Sequence, residues 1–242
     1  MSQPDAPPPG KRVAILQSNY IPWKGYFDLI NQVDEFILYD EVQYTKNDWR
    51  NRNQIKTPQG PAWLTIPVRQ ERLDQSIAET VISSPVWAVK HWKTIAQNYA
   101  RATHFPEMRD FLAGLYEQAA GLERLSEINE LFLRAICGRL GIATRITHST
   151  DYRTDGDRNE RLVQLVSQAG GSHYLSGPAA RVYLDEAAFA REGISVGWAD
   201  YSGYAEYPQL YPPFTHAVSV IDLLVSTGSE ARRYLKSCSA GA

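Results

Sequence analysis

Cysteine is nearly absent from this chain. Of 242 residues only Cys137 and Cys238 are cysteines, far apart and outside any C-x-x-C spacing. That excludes a disulfide framework and a thiolate-held metal, and it fits a reducing compartment. No run of 18 apolar residues occurs, so no transmembrane helix is expected. The opening MSQPDAPPPGKR has no apolar core and does not read as a secretory signal. A cytoplasmic location is the expectation. An excess of either charge is also lacking. With a net charge of −2 the chain does not look like a polyanion binder, and DNA is not an expected partner. There is no G-x-G-x-x-G, no G-x-x-x-x-G-K-[ST] and no H-E-x-x-H, so neither standard phosphate loop nor a zinc helix is signalled, and no metal site is expected.

What is present is ordinary globular composition. Hydrophobic residues make up 43% and charged residues 21%, enough for a chain of this length to bury its own core. Residues 1–11 read as a disordered lead-in and 12–242 as one domain. Residues 13–17 form a short apolar run that reads as a buried parallel strand, and 35–40 as a second. Between them Phe27 and Ile30 share one helical face. Residues 53–56 and 63–67 predict a hairpin across the turn at 58–61, and 79–83 a further short strand. Helical spacing follows over 87–99, 106–119 and 125–140, with Gly141 as the stop. Strand, helix and strand return over 142–147, 159–169 and 172–175, with a last strand at 194–198 and a helix or buried segment at 218–225. The pattern predicts an α/β fold: an open Rossmann-like, mostly parallel sheet with a helical insert over about 85–140.

Polar residues gather where strands end. The first group is Gln17, Tyr20, Trp23 and Tyr26, between the first strand and first helix, where open α/β sheets bind ligands. The second is Asp40, Gln43, Tyr44, Lys46, Trp49, Asn51, Arg52 and Asn53. Its cations suit a carboxylate or phosphate, and its rings suit stacking on a sugar or base. The third is Asp157, Arg158 and Asn159 at a helix start, where capping is the competing explanation. The fourth is Ser176 and Gly177, whose hydroxyl and N–H suit an oxyanion. Each lone histidine reads as structural by default, although His216 stands in a Pro-Pro-Phe-Thr-His loop where a general base is conceivable.

Taken together these motifs resemble the WbqC-like family. The carriers are Gln17-Ser-Asn-Tyr20-Ile-Pro22-Trp23-Lys-Gly25-Tyr26-Phe27, then Asp40-Glu-Val-Gln43-Tyr44-Thr-Lys46, then Trp49-Arg-Asn51-Arg52-Asn53. Gly156-Asp157-Arg158-Asn159-Glu160-Arg161, Tyr174-Leu-Ser176-Gly177-Pro178 and Tyr207-Pro-Gln209 complete the likeness, which runs over about 12–236. The resemblance implies a bacterial cytoplasmic enzyme of O-antigen or related polysaccharide synthesis, with glycine or another amino acid transferred to a sugar. It carries over no catalytic residues.

The expectation is an acyl or aminoacyl transferase. Arg52 and Lys46 would hold a carboxylate or phosphate. Gln17, Tyr20 and Asn53 would orient the acceptor while Trp23 and Trp49 stack on it. Asp40 or Asp157 would be the base, with an oxyanion pocket near Gly177. The acceptor is a small-molecule or sugar-linked substrate, and the donor an acyl carrier or aminoacyl-tRNA. An ATP- and Mg²⁺-dependent carboxylate–amine ligase and a non-catalytic binding protein are the rivals. Aromatic residues 201–211 suggest either a homodimer surface or a lid.

Overall fold

Alternation in the first strand sets the layers. In β1 (Lys11–Leu16), Val13 and Ile15 pack to one face and Ala14 to the other. A computed structural model describes residues 10–239. The expected lead-in therefore lies, for residues 1–9, outside the described residues. Lys11 already belongs to β1, and its ammonium reaches Glu35 at 2.6 Å.

After β1 come α1 (Lys24–Asn31) and β2 (Glu35–Leu38). The predicted hairpin is β3 (Arg52–Thr57) with β4 (Gly60–Thr65), paired antiparallel from Arg52 opposite Thr65. Two-residue strands β5 (Val68–Arg69) and β6 (Val81–Ile82) make a second small pair. Helices α2 (Val86–Tyr99), α3 (Phe105–Ala119) and α4 (Leu125–Arg139) follow. In α4 the buried Leu125, Ile128, Phe132 and Ile136 recur at helical spacing, and Gly141, at φ 65°, ends it. The chain returns through β7 (Arg145–His148), α5 (Arg158–Gln168), β8 (Gly171–Ser176), α6 (Glu186–Arg191) and β9 (Ser195–Trp198). A long irregular segment leads to α7 (Val220–Thr227) and α8 (Lys236–Ser239).

Five strands form one all-parallel sheet in the order β7-β2-β1-β8-β9. One face packs Val13, Ile15 and Tyr174 against Leu162 and Val166 of α5 and Phe189 of α6. The other packs Ala14, Phe36 and Leu38 in a cluster with residues of α1, α4 and α7. Cover on both faces is what a parallel sheet needs, because neither face then meets water. The fold is the expected Rossmann-like α/β sheet. Among the described residues no helix is long and apolar enough to cross a membrane.

The order places the functional question. From β1 the chain moves outward to β2 and β7, then returns to β8 on the other side of β1. The strand order thus reverses between β1 and β8, and a crevice opens outside the carboxyl ends of those two strands.

Candidate functional site

That crevice has a volume of about 660 Å³. Its floor is the end of β1 with Gln17, and the end of β8 with Ser176 and Gly177. Its walls come from the loop after β2 and from the start of α5. Arg50, Arg158 and Arg161 line it, and Asp48 is the one carboxylate among the described lining residues. Asp48 is engaged already. It accepts from the Thr45 hydroxyl at 2.9 Å and the Trp49 N–H at 2.7 Å, and it lies 3.6 Å from Arg50. Arg158 rests on the Tyr183 ring at 4.6 Å and Arg161 donates to the Gly156 carbonyl at 3.0 Å. Three guanidiniums against one carboxylate make this a positive crevice in a chain of net negative charge, suited to a phosphate or carboxylate.

A second cleft, of about 580 Å³, lies across the loop that follows β1. It is lined by Trp23, Tyr26, Trp49, Tyr201, Tyr204 and His216, with Asn19 and Asn53 at its walls. No Asp, Glu, Lys or Arg is among its described lining residues. Burial first, and then the nearby Lys24 ammonium, lower the pKa of His216, which favours the neutral imidazole.

The loop between the clefts is held in a strained shape. Ile21 is fully buried at φ 38°, a region that a β-branched residue rarely enters. The Asn53 amide donates to the Tyr20 and Ile21 carbonyls, both at 3.1 Å, while its own oxygen accepts from the Gln54 N–H. The Tyr20 N–H donates to the Trp49 carbonyl at 3.0 Å, and the Val220 N–H to the Pro22 carbonyl at 2.9 Å. Asn53 is therefore a clamp on the loop and has no amide hydrogen directed at a ligand beyond those two bonds.

Several expected site residues lie elsewhere. Tyr20 was expected to orient an acceptor, yet it is fully buried. Its hydroxyl shares hydrogen bonds with Tyr116 at 2.6 Å and His91 at 2.9 Å, and its ring meets Trp87 and Phe132 edge-on. A buried phenol needs such partners, and these leave it no contact with either cleft. Tyr44 is likewise in the core. Asn51 is buried and donates to the Ile66 carbonyl at 2.8 Å. Lys46 stands exposed and lines neither cleft. Arg52 donates to Asn47 and lies 4.2 Å over the Trp63 ring, away from both clefts. Asp157 caps α5, accepting from the Asn159 and Glu160 N–H groups, with Glu160 answering as the second half of a capping box. Asn159 ties α5 to the Tyr183 carbonyl and the Asp185 N–H. Asp40 is buried beneath the loop and accepts the Ser18 N–H at 2.7 Å; burial raises its pKa. It faces a small pocket with Glu130 and His148 and reaches neither cleft. Tyr204 and Tyr207, expected on an exposed surface, are buried.

Gln17, Gln43, Arg158, Ser176 and Gly177 do come together in the basic crevice, and Trp23, Tyr26, Trp49 and Asn53 in the aromatic cleft. The Gln43 side chain also donates to the Leu73 carbonyl. Sequence reasoning passed over Arg50, although it sits inside a motif that was singled out. Arg161 lies one helical turn beyond Arg158, a spacing that already signals a shared face. Tyr201 was expected only as part of an aromatic surface or lid over 201–211, because its segment has no regular period from which to read where each ring points.

The sequence model of the WbqC-like protein family matches residues 17–234, which include every residue named above in either cleft. The uncharacterized protein Rv1507c of Mycobacterium tuberculosis is 51% identical over 229 residues, covering 94% of this chain and 99% of that protein. No solved structure matches the chain. A match over residues 17–234, which takes in the named residues of both clefts and four of the sheet's five strands, together with identity at that level, makes this chain a member of the WbqC-like protein family.

Proposed function

We propose that this protein is an acyl or aminoacyl transferase acting on a sugar or small-metabolite acceptor, and that its phosphate-bearing substrate lies in the crevice between β1 and β8. The observation that carries the binding half is the convergence of Arg50, Arg158 and Arg161 on the point where the strand order reverses. Guanidinium forks match phosphate oxygens in pairs, and they face a crevice with one, already engaged, carboxylate. The transfer half rests on the family resemblance.

In this reading the acceptor's oxygen or nitrogen attacks the acyl carbonyl carbon. An ester or amide bond forms, the bond to the carrier breaks, and the carrier leaves with the electron pair. The acceptor's proton passes to a base. Asp40 and Asp157 are committed to the loop and the helix cap, so His216, which lines the neighbouring cleft and whose neutral form is favoured, takes that role in their place. An ATP-dependent carboxylate–amine ligase is the second reading, favoured by the same three arginines, which suit a nucleotide's phosphates equally well.

A thermal-shift screen separates them. A ligand that binds only the folded state at 100 times its dissociation constant adds about 2.7 kcal/mol. Stabilisation by acyl-carrier thioesters or nucleotide-sugars without ATP supports the transferase, and stabilisation by ATP with free amino acids supports the ligase. Arg158→Ala should abolish either shift. An undiminished shift in that variant removes the assignment of the crevice.

A further inference from the structure

The two clefts meet at two points. Arg50 of the basic crevice donates to the side chain of Asn19, which lines the aromatic cleft. Tyr201 makes the second junction. Its ring lines the aromatic cleft, edge-on to Trp23 with centroids 5.4 Å apart and planes at 72°. Its hydroxyl stands 3.7 Å from where a Cβ on Gly177 would lie, and Gly177 is the floor of the basic crevice. That hydroxyl has no hydrogen-bond partner among the described residues. Burial first, then Asp28, push the phenol up to about 12, so it keeps its proton and is free to donate.

The two spaces divide chemistry sharply. One holds three arginines, and the other has rings and amides with no formal charge among its described lining residues. At about 660 and 580 Å³ each falls in the range of a small-molecule site. We propose that they form one bipartite site for a single elongated ligand, a diphosphate ester carrying an uncharged ring. The diphosphate lies among Arg50, Arg158 and Arg161, the ring packs on Trp23, Trp49 and Tyr201, and the Tyr201 hydroxyl donates to an oxygen at the crossing. Indole and phenol faces take the ring of a base or the C–H face of a sugar, and neither requires a charge from the wall. This rests on the phosphate reading of the basic crevice and names the class of substrate it takes.

Calorimetric titration of the full chain tests it with pyrophosphate, the four common nucleosides, their diphosphates, and glucose 1-phosphate. Two variants probe the crossing. Gly177→Ala is compatible with the backbone, since Gly177 has φ −71° and ψ 149°, and its added methyl makes an ordinary contact with Tyr201. Tyr201→Phe removes only the hydroxyl. A nucleoside diphosphate should bind at one equivalent, at least about tenfold tighter than pyrophosphate, and should displace both pyrophosphate and the nucleoside. Each variant should cost that ligand about tenfold, and Tyr201→Phe, which lies outside the basic crevice, should leave pyrophosphate affinity unchanged. The same gain with glucose 1-phosphate alone, which carries a single phosphate, would overturn the diphosphate ester as the ligand. If no ring-bearing phosphate gains over pyrophosphate, or if both variants bind it as the parent does, the bipartite site is wrong while the phosphate crevice stands. If pyrophosphate itself does not bind, or binds Arg158→Ala equally well, the phosphate crevice falls and the bipartite site with it.

Discussion

Gly25 lies directly beneath the indole of Trp23: a Cβ at Gly25 would come within 2.2 Å of the ring carbon Cζ2. The second residue of α1 is thus the support on which one wall of the aromatic cleft rests. Alanine is the better helix former by roughly 1 kcal/mol, so propensity alone favours the substitution. Contact at that distance outweighs it, and the indole has to move.

Gly25→Ala is therefore expected to displace Trp23 while leaving the sheet intact. Tryptophan fluorescence should shift, and affinity for ring-bearing ligands should drop by about tenfold with pyrophosphate affinity retained. A structure of the variant with Trp23 in its present place would refute the account.

Asp40 offers a test of positioning against catalysis. Its folded pKa is raised by burial, so the ionised carboxylate costs stability as pH rises above its unfolded value near 3.8. Asp40→Asn keeps an acceptor for the Ser18 N–H without that cost and should raise the unfolding midpoint at pH 7. Asp40→Ala leaves the N–H buried and unpaired and should lower stability by about 1–3 kcal/mol. Turnover surviving in the Asn variant identifies Asp40 as a support of the loop; its complete loss there would restore Asp40 as the base.

His91 sets the acid limit of the core around Tyr20. Burial lowers its pKa from 6.5 to about 4, and the unfolded chain has no such restraint. Between those values the unfolded state binds the extra proton, so stability falls as pH drops from about 6.5 towards 4. The full effect is on the order of 3 kcal/mol. Unfolding by urea at a series of pH values should show this slope, and His91→Gln should flatten it. An equal slope in the variant would assign the acid sensitivity elsewhere.

Arg52 and Arg158 should separate cleanly. The Arg52 guanidinium is spent on Asn47 and Trp63, so Arg52→Ala is expected to leave pyrophosphate affinity within about twofold. Arg158→Ala should reduce it by at least about tenfold, as losing a charge-assisted hydrogen bond does. The reverse order would return the anion site to the hairpin.

Much of the fold was legible because its signals are local. The apolar run at 13–17, the spacing of Leu125, Ile128 and Phe132, and the cap at Asp157 each speak for their own element. The site was legible as loops but not as side chains. Tyr20, Tyr44 and Asn51 have the chemistry of ligand contacts, yet they face inward, and irregular backbone has no period from which to read that direction. Arg50 and Arg52 differ by two positions, and tertiary packing alone sends one to the crevice and the other to Trp63. The segment carrying Tyr201 was the least legible, because its anchors are remote: the Lys24 ammonium holds the Ala205 carbonyl at 2.7 Å, and Lys56 holds that of Pro213.

Because Val13 pairs with Tyr174, the two strands that frame the basic crevice are made far apart in synthesis. A nascent chain that has released β1, α1 and β2 still has no second wall, and α5, with two of the three arginines, has yet to appear. Closing so long a loop costs entropy before any contact repays it, and non-local parallel pairing folds slowly. Ligand binding should thus be among the last properties the chain acquires on leaving the ribosome, and fragments ending before β8 should bind nothing. Occupancy of the crevice would then report that folding is complete.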